Sequence, residues 1–288
     1  MKKMFKTRMP ALLMALMLAV TATGCGGSKT PENAGPNADP NELTGNIQIA
    51  GSTSVQPLSE ELAKVFMAKN SKVRINVAGG GSGAGIKAAQ EGTADIGASS
   101  RDLKTEEKTV KEFVIALDGI AVIVHKDNKT AELKQDDIKK IFLGEVTDWS
   151  LLGGDNGVIR VITREEGSGT RGAFEELVLG KDAAGKELKI FDKANVQNST
   201  GAVRTAVAAD KNAIGYVSLG SLNDEVKAVK VNGVEATVEN IKNKTYKISR
   251  PFIYLTPKDP AGATKTFIDW VLSDEGQAVV KESFISVK

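Results

Sequence analysis

Val73-Arg74-Ile75-Asn76-Val77-Ala78-Gly79-Gly80-Gly81-Ser82-Gly83-Ala84-Gly85 is the stretch that sets the fold class. Residues 73–78 are rich in β-branched side chains and read as a strand. Five glycines then fall in seven residues, and a helix is expected over 83–91. A strand that passes through a glycine-rich turn directly into a helix is the building unit of α/β proteins.

The same unit recurs outward along the chain. Strands are expected at 46–50, 96–98, 113–124, 158–163, 213–217 and 253–256. Helices are expected at 57–70, where Leu58, Leu62, Val65 and Phe66 keep helical spacing, and at 104–112, 136–142, 170–179, 201–209, 263–272 and 276–282. This alternation predicts an α/β fold with mostly parallel sheets. Ligands of such sheets sit beyond the carboxyl ends of the strands. The 288 residues fit two domains with a cleft between them. One would comprise 46–122 and 254–288, the other 123–253, with chain crossings near 120–126 and 249–257.

Composition narrows the function. Apolar residues make up 41% and charged residues 26%, ordinary for a folded protein. The net charge is +2, but Lys2, Lys3, Lys6 and Arg8 lie in the leader, and without them it is −2. Binding nucleic acid through its phosphates needs a basic excess that this chain lacks, and aromatics for base stacking stand at 5%. One Cys and one His argue against a disulfide framework, a multi-Cys zinc site and most histidine catalysis. No cofactor and no metal are expected.

The N-terminus reads as an address. A basic segment, Pro10 and an apolar run at 11–20 form a signal peptide over 1–24, too short to span a bilayer. Ala22-Thr23-Gly24-Cys25 resembles a lipobox, which makes Cys25 a lipid-modified residue after cleavage. Two acyl chains suffice for stable anchoring. Residues 25–45, rich in Gly, Pro, Asn and Asp, read as a flexible tether.

Three junctions carry the chemistry: Gly51-Ser52-Thr53-Ser54, Gly79 to Gly85, and Arg164-Glu165-Glu166-Gly167-Ser168-Gly169-Thr170-Arg171. Each places glycines and hydroxyls just before a helix. Glycine lets backbone N–H groups approach a ligand closely. A helix start leaves N–H donors unpaired and partly positive, which suits an anion. Hydroxyls add donors without charge, and Arg164 adds a planar cationic fork. Glu166 is expected to orient Arg164, with Glu165 solvated. Ser or Thr before a helix also serves simply as a cap, but three such loops together point to one small-anion site. Competing motifs fail. Gly79, Gly81 and Ala84 match only the loosest dinucleotide fingerprint, no loop has the Gly-Lys-Ser/Thr of a P-loop, and neither Ser82 nor Ser168 sits in G-x-S-x-G.

These loops, with Ala94-Asp95-Ile96-Gly97-Ala98-Ser99-Ser100 and Ala213-Ile214-Gly215-Tyr216-Val217, resemble in order the phosphate-binding lipoproteins of phosphate ABC transporters, the PstS family. The resemblance implies a two-domain, periplasmic-binding-protein-like Venus flytrap with a central cleft and two hinge crossovers. It implies a monomer without enzymatic activity, held on the extracytoplasmic membrane face through Cys25, that takes up inorganic phosphate and passes it to permease subunits. Carried onto this chain, the ligands are Thr53, Ser54, Ser82, Arg164, Ser168, Gly169 and Thr170, with Glu166 partnering the arginine. Many family members carry an Asp where this chain has Ser100, an acceptor for the proton of phosphate. Ser100 itself and Asp118 are the candidate replacements here. Arg101 is an added positive charge that either lies outside the pocket or pairs with Asp102. Sulfate or another tetrahedral oxyanion is the alternative ligand, and a secreted serine phosphatase or an adhesin are the alternatives outside this class.

Overall fold

A computed structural model describes residues 42–288. The signal peptide, Cys25 and residues 25–41 of the tether lie outside the described residues.

The chain opens with β1 (Gly45–Gly51), α1 (Gln56–Lys69), β2 (Val73–Gly79), α2 (Ser82–Glu91), β3 (Ile96–Ser99) and the long β4 (Lys111–His125). It continues through β5 (Glu132–Leu133), α3 (Gln135–Leu143), β6 (Arg160–Arg164), α4 (Gly169–Phe174), β7 (Asn195–Gln197), α5 (Thr200–Ala208) and β8 (Ala213–Ser218). Then come β9 (Val226–Ala228), β10 (Lys230–Val231), α6 (Val238–Lys242), β11 (Ser249–Thr256), α7 (Gly262–Val271) and α8 (Asp274–Val280).

The main sheet runs β2-β1-β3-β11-β4-β8-β6-β7, with β9 also paired to β4. Its flanks are parallel: β1 pairs with β2 and β3, and β6 with β7 and β8. Its middle is antiparallel, through β11–β3, β11–β4, β4–β8 and β4–β9. The sheet is therefore mixed, where the strand–helix alternation predicts mostly parallel pairing. The difference comes from β4 and β11. Strand β4 pairs with β11 over its first part and with β8 over residues 120–124, and β11 runs antiparallel to both of its neighbours, β3 and β4.

Two principal hydrophobic cores flank this crossing. One packs Ile47, Ile49, Leu58, Leu62 and Phe66 against Phe252 and Phe267. The other packs Ile120 to Val124 of β4 with Phe142, Trp149, Phe174 and Tyr216. Helix α1 follows the first core because Leu58, Leu62 and Phe66 recur every fourth residue on one face, and Pro57 suits its first turn. Helix α2 lies unusually close to the sheet. A Cβ on Gly85 would stand 2.7 Å from the carbonyl oxygens of Ala50 and Ala98. That glycine serves helix–strand contact rather than a ligand.

The polar helix expected at 104–112 is a single 3-10 turn, Thr105–Glu107. Its acidic residues serve that turn, where Glu107 binds the backbone N–H of Lys104 and the side chain of Arg101, and Lys111 already belongs to β4. The helix expected at 170–179 is α4 followed by a π-helical turn, Glu175–Leu179. Among the described residues no helix is long and apolar enough to cross a membrane.

Candidate anion-binding site

Five turns from the two sides of the crossing converge on one buried cluster of hydroxyls. Strand β1 ends at Gly51 and delivers Ser52, Thr53 and Ser54. Strand β2 and the glycine turn deliver Ser82, and β3 ends one residue before Ser100. From the other side, β6 ends at Arg164 and leads to Gly169 and Thr170 at the start of α4. Strand β7 leads to Thr200 at the start of α5. Ser54, Ser82, Ser100, Arg164, Thr170 and Thr200 are each 3% exposed or less.

The hydroxyls bridge the two sides. Ser54 Oγ lies 2.8 Å from Thr170 Oγ1 and 2.8 Å from Thr200 Oγ1. Thr53 Oγ1 is 3.2 Å from Thr200 Oγ1 and accepts the Thr200 N–H at 3.2 Å. Arg164 Nη1 donates to Thr200 Oγ1 at 3.2 Å. Gly169 meets Ser82 and Ser100 so closely that a Cβ there would fall on the Ser82 hydroxyl. The backbone closes the same seam, with the Gly83 N–H donating to the Gly167 carbonyl at 2.9 Å.

Arg164 is oriented by its immediate neighbour. Its Nε and Nη2 each donate to a Glu165 carboxylate oxygen at 2.8 Å, a bidentate fork. Glu166, expected in that role, is instead exposed. It lines an outer groove of about 730 Å³ together with Arg101, Lys104, Arg171, Glu176 and Lys189. The turn after β6 decides which acid faces inward: the Glu165 N–H donates to the Gln197 carbonyl at 3.1 Å, holding residue 165 beside β7. Arg101 lines the same outer groove. Its guanidinium forks onto Glu107 at 2.7 Å for both bonds, while Asp102 takes part only through its backbone carbonyl.

The glycine turn works differently from its sequence-based reading. The Gly80 and Gly81 N–H groups donate to the Gly51 carbonyl at 2.8 and 3.0 Å, and Gly83 bonds across the seam. These amides tie loops together, and the turn contributes Ser82. Ser168 caps α4, accepting the Arg171 N–H at 3.2 Å. It also reaches the wall of the outer groove.

Behind Ser100 stands a buried ion pair. Arg250 Nη2 and Nε donate to Asp118 Oδ2 at 3.1 and 3.3 Å, and Ser218 Oγ donates to Asp118 Oδ1 at 2.8 Å. Burial pushes the Asp118 carboxyl up to about 6 against the pull of Arg250 and Ser218. Burial also lowers Arg250, and the positive charge of Arg164 adds to that. Asp118 is thus committed to Arg250 and Ser218, not aimed at the hydroxyl cluster.

Sequence reasoning missed Thr200 and Arg250, and it placed Ser52 in the first junction without giving it a role. Thr200 had a signal. Ser199-Thr200-Gly201 at the start of α5 repeats the hydroxyl-plus-glycine signature of the other junctions, and Ser199 caps the helix. Arg250, inside a strand, had none.

Such a cluster provides many neutral donors and the Arg164 guanidinium in a buried seam between two α/β halves. This is the arrangement of a binding protein that encloses a small anion. The family described as PBP superfamily domain matches residues 34–275. The phosphate-binding protein PstS of Bacillus subtilis (strain 168) is 30% identical over 286 residues, covering 96% of this chain and 92% of the relative. A phosphate ABC transporter substrate-binding protein of Clostridium perfringens, solved with bound phosphate, is 45% identical with a TM-score of 0.79. It covers 85% of this chain and 100% of its own. An ABC-type phosphate transport receptor of Vibrio cholerae is 34% identical with a TM-score of 0.68, covering 84% of this chain and 100% of its own. The chain belongs to the PstS family of phosphate-binding proteins, within the PBP superfamily.

Proposed function

We propose that this protein is the substrate-binding component of an ABC importer and encloses inorganic phosphate between its two halves. The single observation that carries this reading is the bridge of Ser54, Thr170, Thr200 and Arg164 across the seam. Each of these side chains can donate to an oxyanion, and a ligand held by both sides stabilises their closed arrangement. The bound phosphate of the Clostridium relative supports the choice of ligand. In this reading Thr53, Ser54, Ser82, Ser100, Arg164, Gly169 and Thr170 contact phosphate, Thr200 joins them, and Ser168 holds the start of α4. Residues 46–122 with 254–288 form one moving half and 123–253 the other, hinged where β4 and β11 cross.

The protein acts by binding, without turnover, and hands the anion to permease subunits. Cys25 carries the lipid that keeps it, as a monomer, on the extracytoplasmic face of the membrane. Titration calorimetry tests the central assignment. Phosphate should bind the wild type with micromolar or tighter affinity. Arg164→Ala should weaken binding about a hundredfold or more, the loss of a charge-assisted contact of about 3 kcal/mol. Unchanged binding in that variant would remove Arg164 from the site.

A further inference from the structure

The hydrogen bonds around Ser100 bear on which anions the site accepts, given the phosphate reading above. Ser52 Oγ accepts the N–H groups of Ser54 and Val55 at 3.2 and 3.4 Å, so its own proton points to Ser100 Oγ at 2.9 Å. A guanidinium only donates, and Arg250 Nη1 donates to Ser100 Oγ at 3.2 Å and to the Ser100 carbonyl at 3.0 Å. Both lone pairs of the Ser100 hydroxyl are therefore occupied. Its proton is left for the cluster, where Ser82 Oγ lies at 3.3 Å and Gly169 packs against it from the other side.

We propose that the buried Arg250–Asp118 pair fixes Ser100 as a hydrogen-bond donor, so that the pocket selects dianionic oxyanions and admits sulfate alongside hydrogen phosphate. Arg250 comes from β11 and Asp118 from β4. Across the seam the charged groups are Arg164 and its partner Glu165, whose two oxygens are both held by Arg164. Helices α2 and α4 bring Ser82 and Gly169. One proton on the anion can be received by Ser54 Oγ, the hydroxyl linked to Thr170 and Thr200 across the seam. A second proton would face Ser100 donor to donor, and an unmatched buried donor costs about 1–3 kcal/mol. Asp118 has no part in receiving it, because Arg250 and Ser218 take its oxygens.

The test is competition calorimetry of phosphate and sulfate on the full mature protein across about pH 5.5 to 8.5. Sulfate keeps its charge over this range, so its profile records the protein's own titration. The ratio of the two anions then records the protonation state of phosphate. Below the second ionisation of phosphate, its affinity relative to sulfate should fall about tenfold per pH unit, in proportion to the dianion present. At the alkaline end sulfate should bind within about a hundredfold of phosphate. Ser100→Asp should cut sulfate binding relative to phosphate at least tenfold, because a carboxylate accepts the phosphate proton and repels a bare dianion. The paired variant Arg250→Met/Asp118→Asn frees a lone pair on Ser100 without leaving a lone buried charge. It should move the ratio toward phosphate and flatten its pH dependence.

A relative phosphate affinity that is flat or rises on acidification overturns the proposal, as does sulfate excluded by more than about a thousandfold. Neither result would touch the phosphate reading. Failure of both anions to bind the wild type would overturn both.

Discussion

Arg164 and Arg250 are both buried guanidiniums, yet they do different work. Arg164 is satisfied on one edge by Glu165 and directs Nη1 into the hydroxyl cluster. Arg250 is turned toward Asp118 and Ser100. The cost of burying its partner is measurable. Burial pushes Asp118 up to about 6 from an ordinary 3.8. The folded protein therefore holds this proton between those values while the unfolded chain has lost it. The stabilisation from Asp118 is complete on the acid side and is lost as pH rises through about 6. Thermal unfolding from about pH 4 to pH 8 should show the wild type losing stability relative to Asp118→Asn as pH rises, by up to roughly 3 kcal/mol. Parallel curves would mean that Asp118 keeps its ordinary value. The residue scale is also where sequence reading reached its limit. Ser54, Ser82, Arg164 and Thr170 were legible because each sits in a strand-to-helix junction that combines glycine with hydroxyls, whereas Ser100 came into view only through the family resemblance. Glu165 and Glu166 are adjacent and chemically alike. Only the bond from the Glu165 N–H to Gln197, a pairing with a strand three residues long, selects between them.

Elements place these residues by ending at the right point. Strands β1 and β3 stop at Gly51 and Ser99, one residue before Ser52 and Ser100, and β6 stops at Arg164, which itself reaches the cluster. The start of α4 is the tightest junction. Gly169 lies where a Cβ would overlap the Ser82 hydroxyl and stand 2.8 Å from Ser100 Oγ. Gly169→Ala should therefore hold the two sides apart and weaken phosphate binding at least tenfold, with the thermal midpoint of the ligand-free protein lowered far less. Unchanged affinity by calorimetry would show that the seam has slack. The strands and long helices were legible from β-branched runs and helical spacing. The segment at 104–112 was not. Its polar, acidic composition suits a helix surface, but Glu107 is drawn into the bidentate pair with Arg101, and β4 begins at Lys111 to pair with Thr256. Tertiary pairing overrode local preference there.

At the scale of the molecule, β4 and β11 are the shared structure. Strand β4 contributes to both hydrophobic cores, Ala116 to one and Ile120 to the other, while β11 gives Phe252 to the first and Ile248, just before it, belongs to the second. The alternation of strands and helices predicted the two parallel flanks, but the antiparallel middle depends on the direction in which long strands cross, which periodicity does not encode. The anchor lies before the described residues and stands on sequence chemistry. Cys25→Ser should move the protein from the membrane fraction to the soluble fraction on sedimentation, and a variant that stays with membranes would refute lipidation at that residue. The central claim is that both sides of the seam hold one oxyanion, and a crystal structure with phosphate tests it most directly. Phosphorus should lie enclosed between Ser54, Ser82 and Ser100 on one side and Arg164, Thr170 and Thr200 on the other, each within hydrogen-bond reach of a phosphate oxygen. Phosphate bound only along the outer groove of Arg101 and Arg171, with the hydroxyl cluster unchanged, would contradict it.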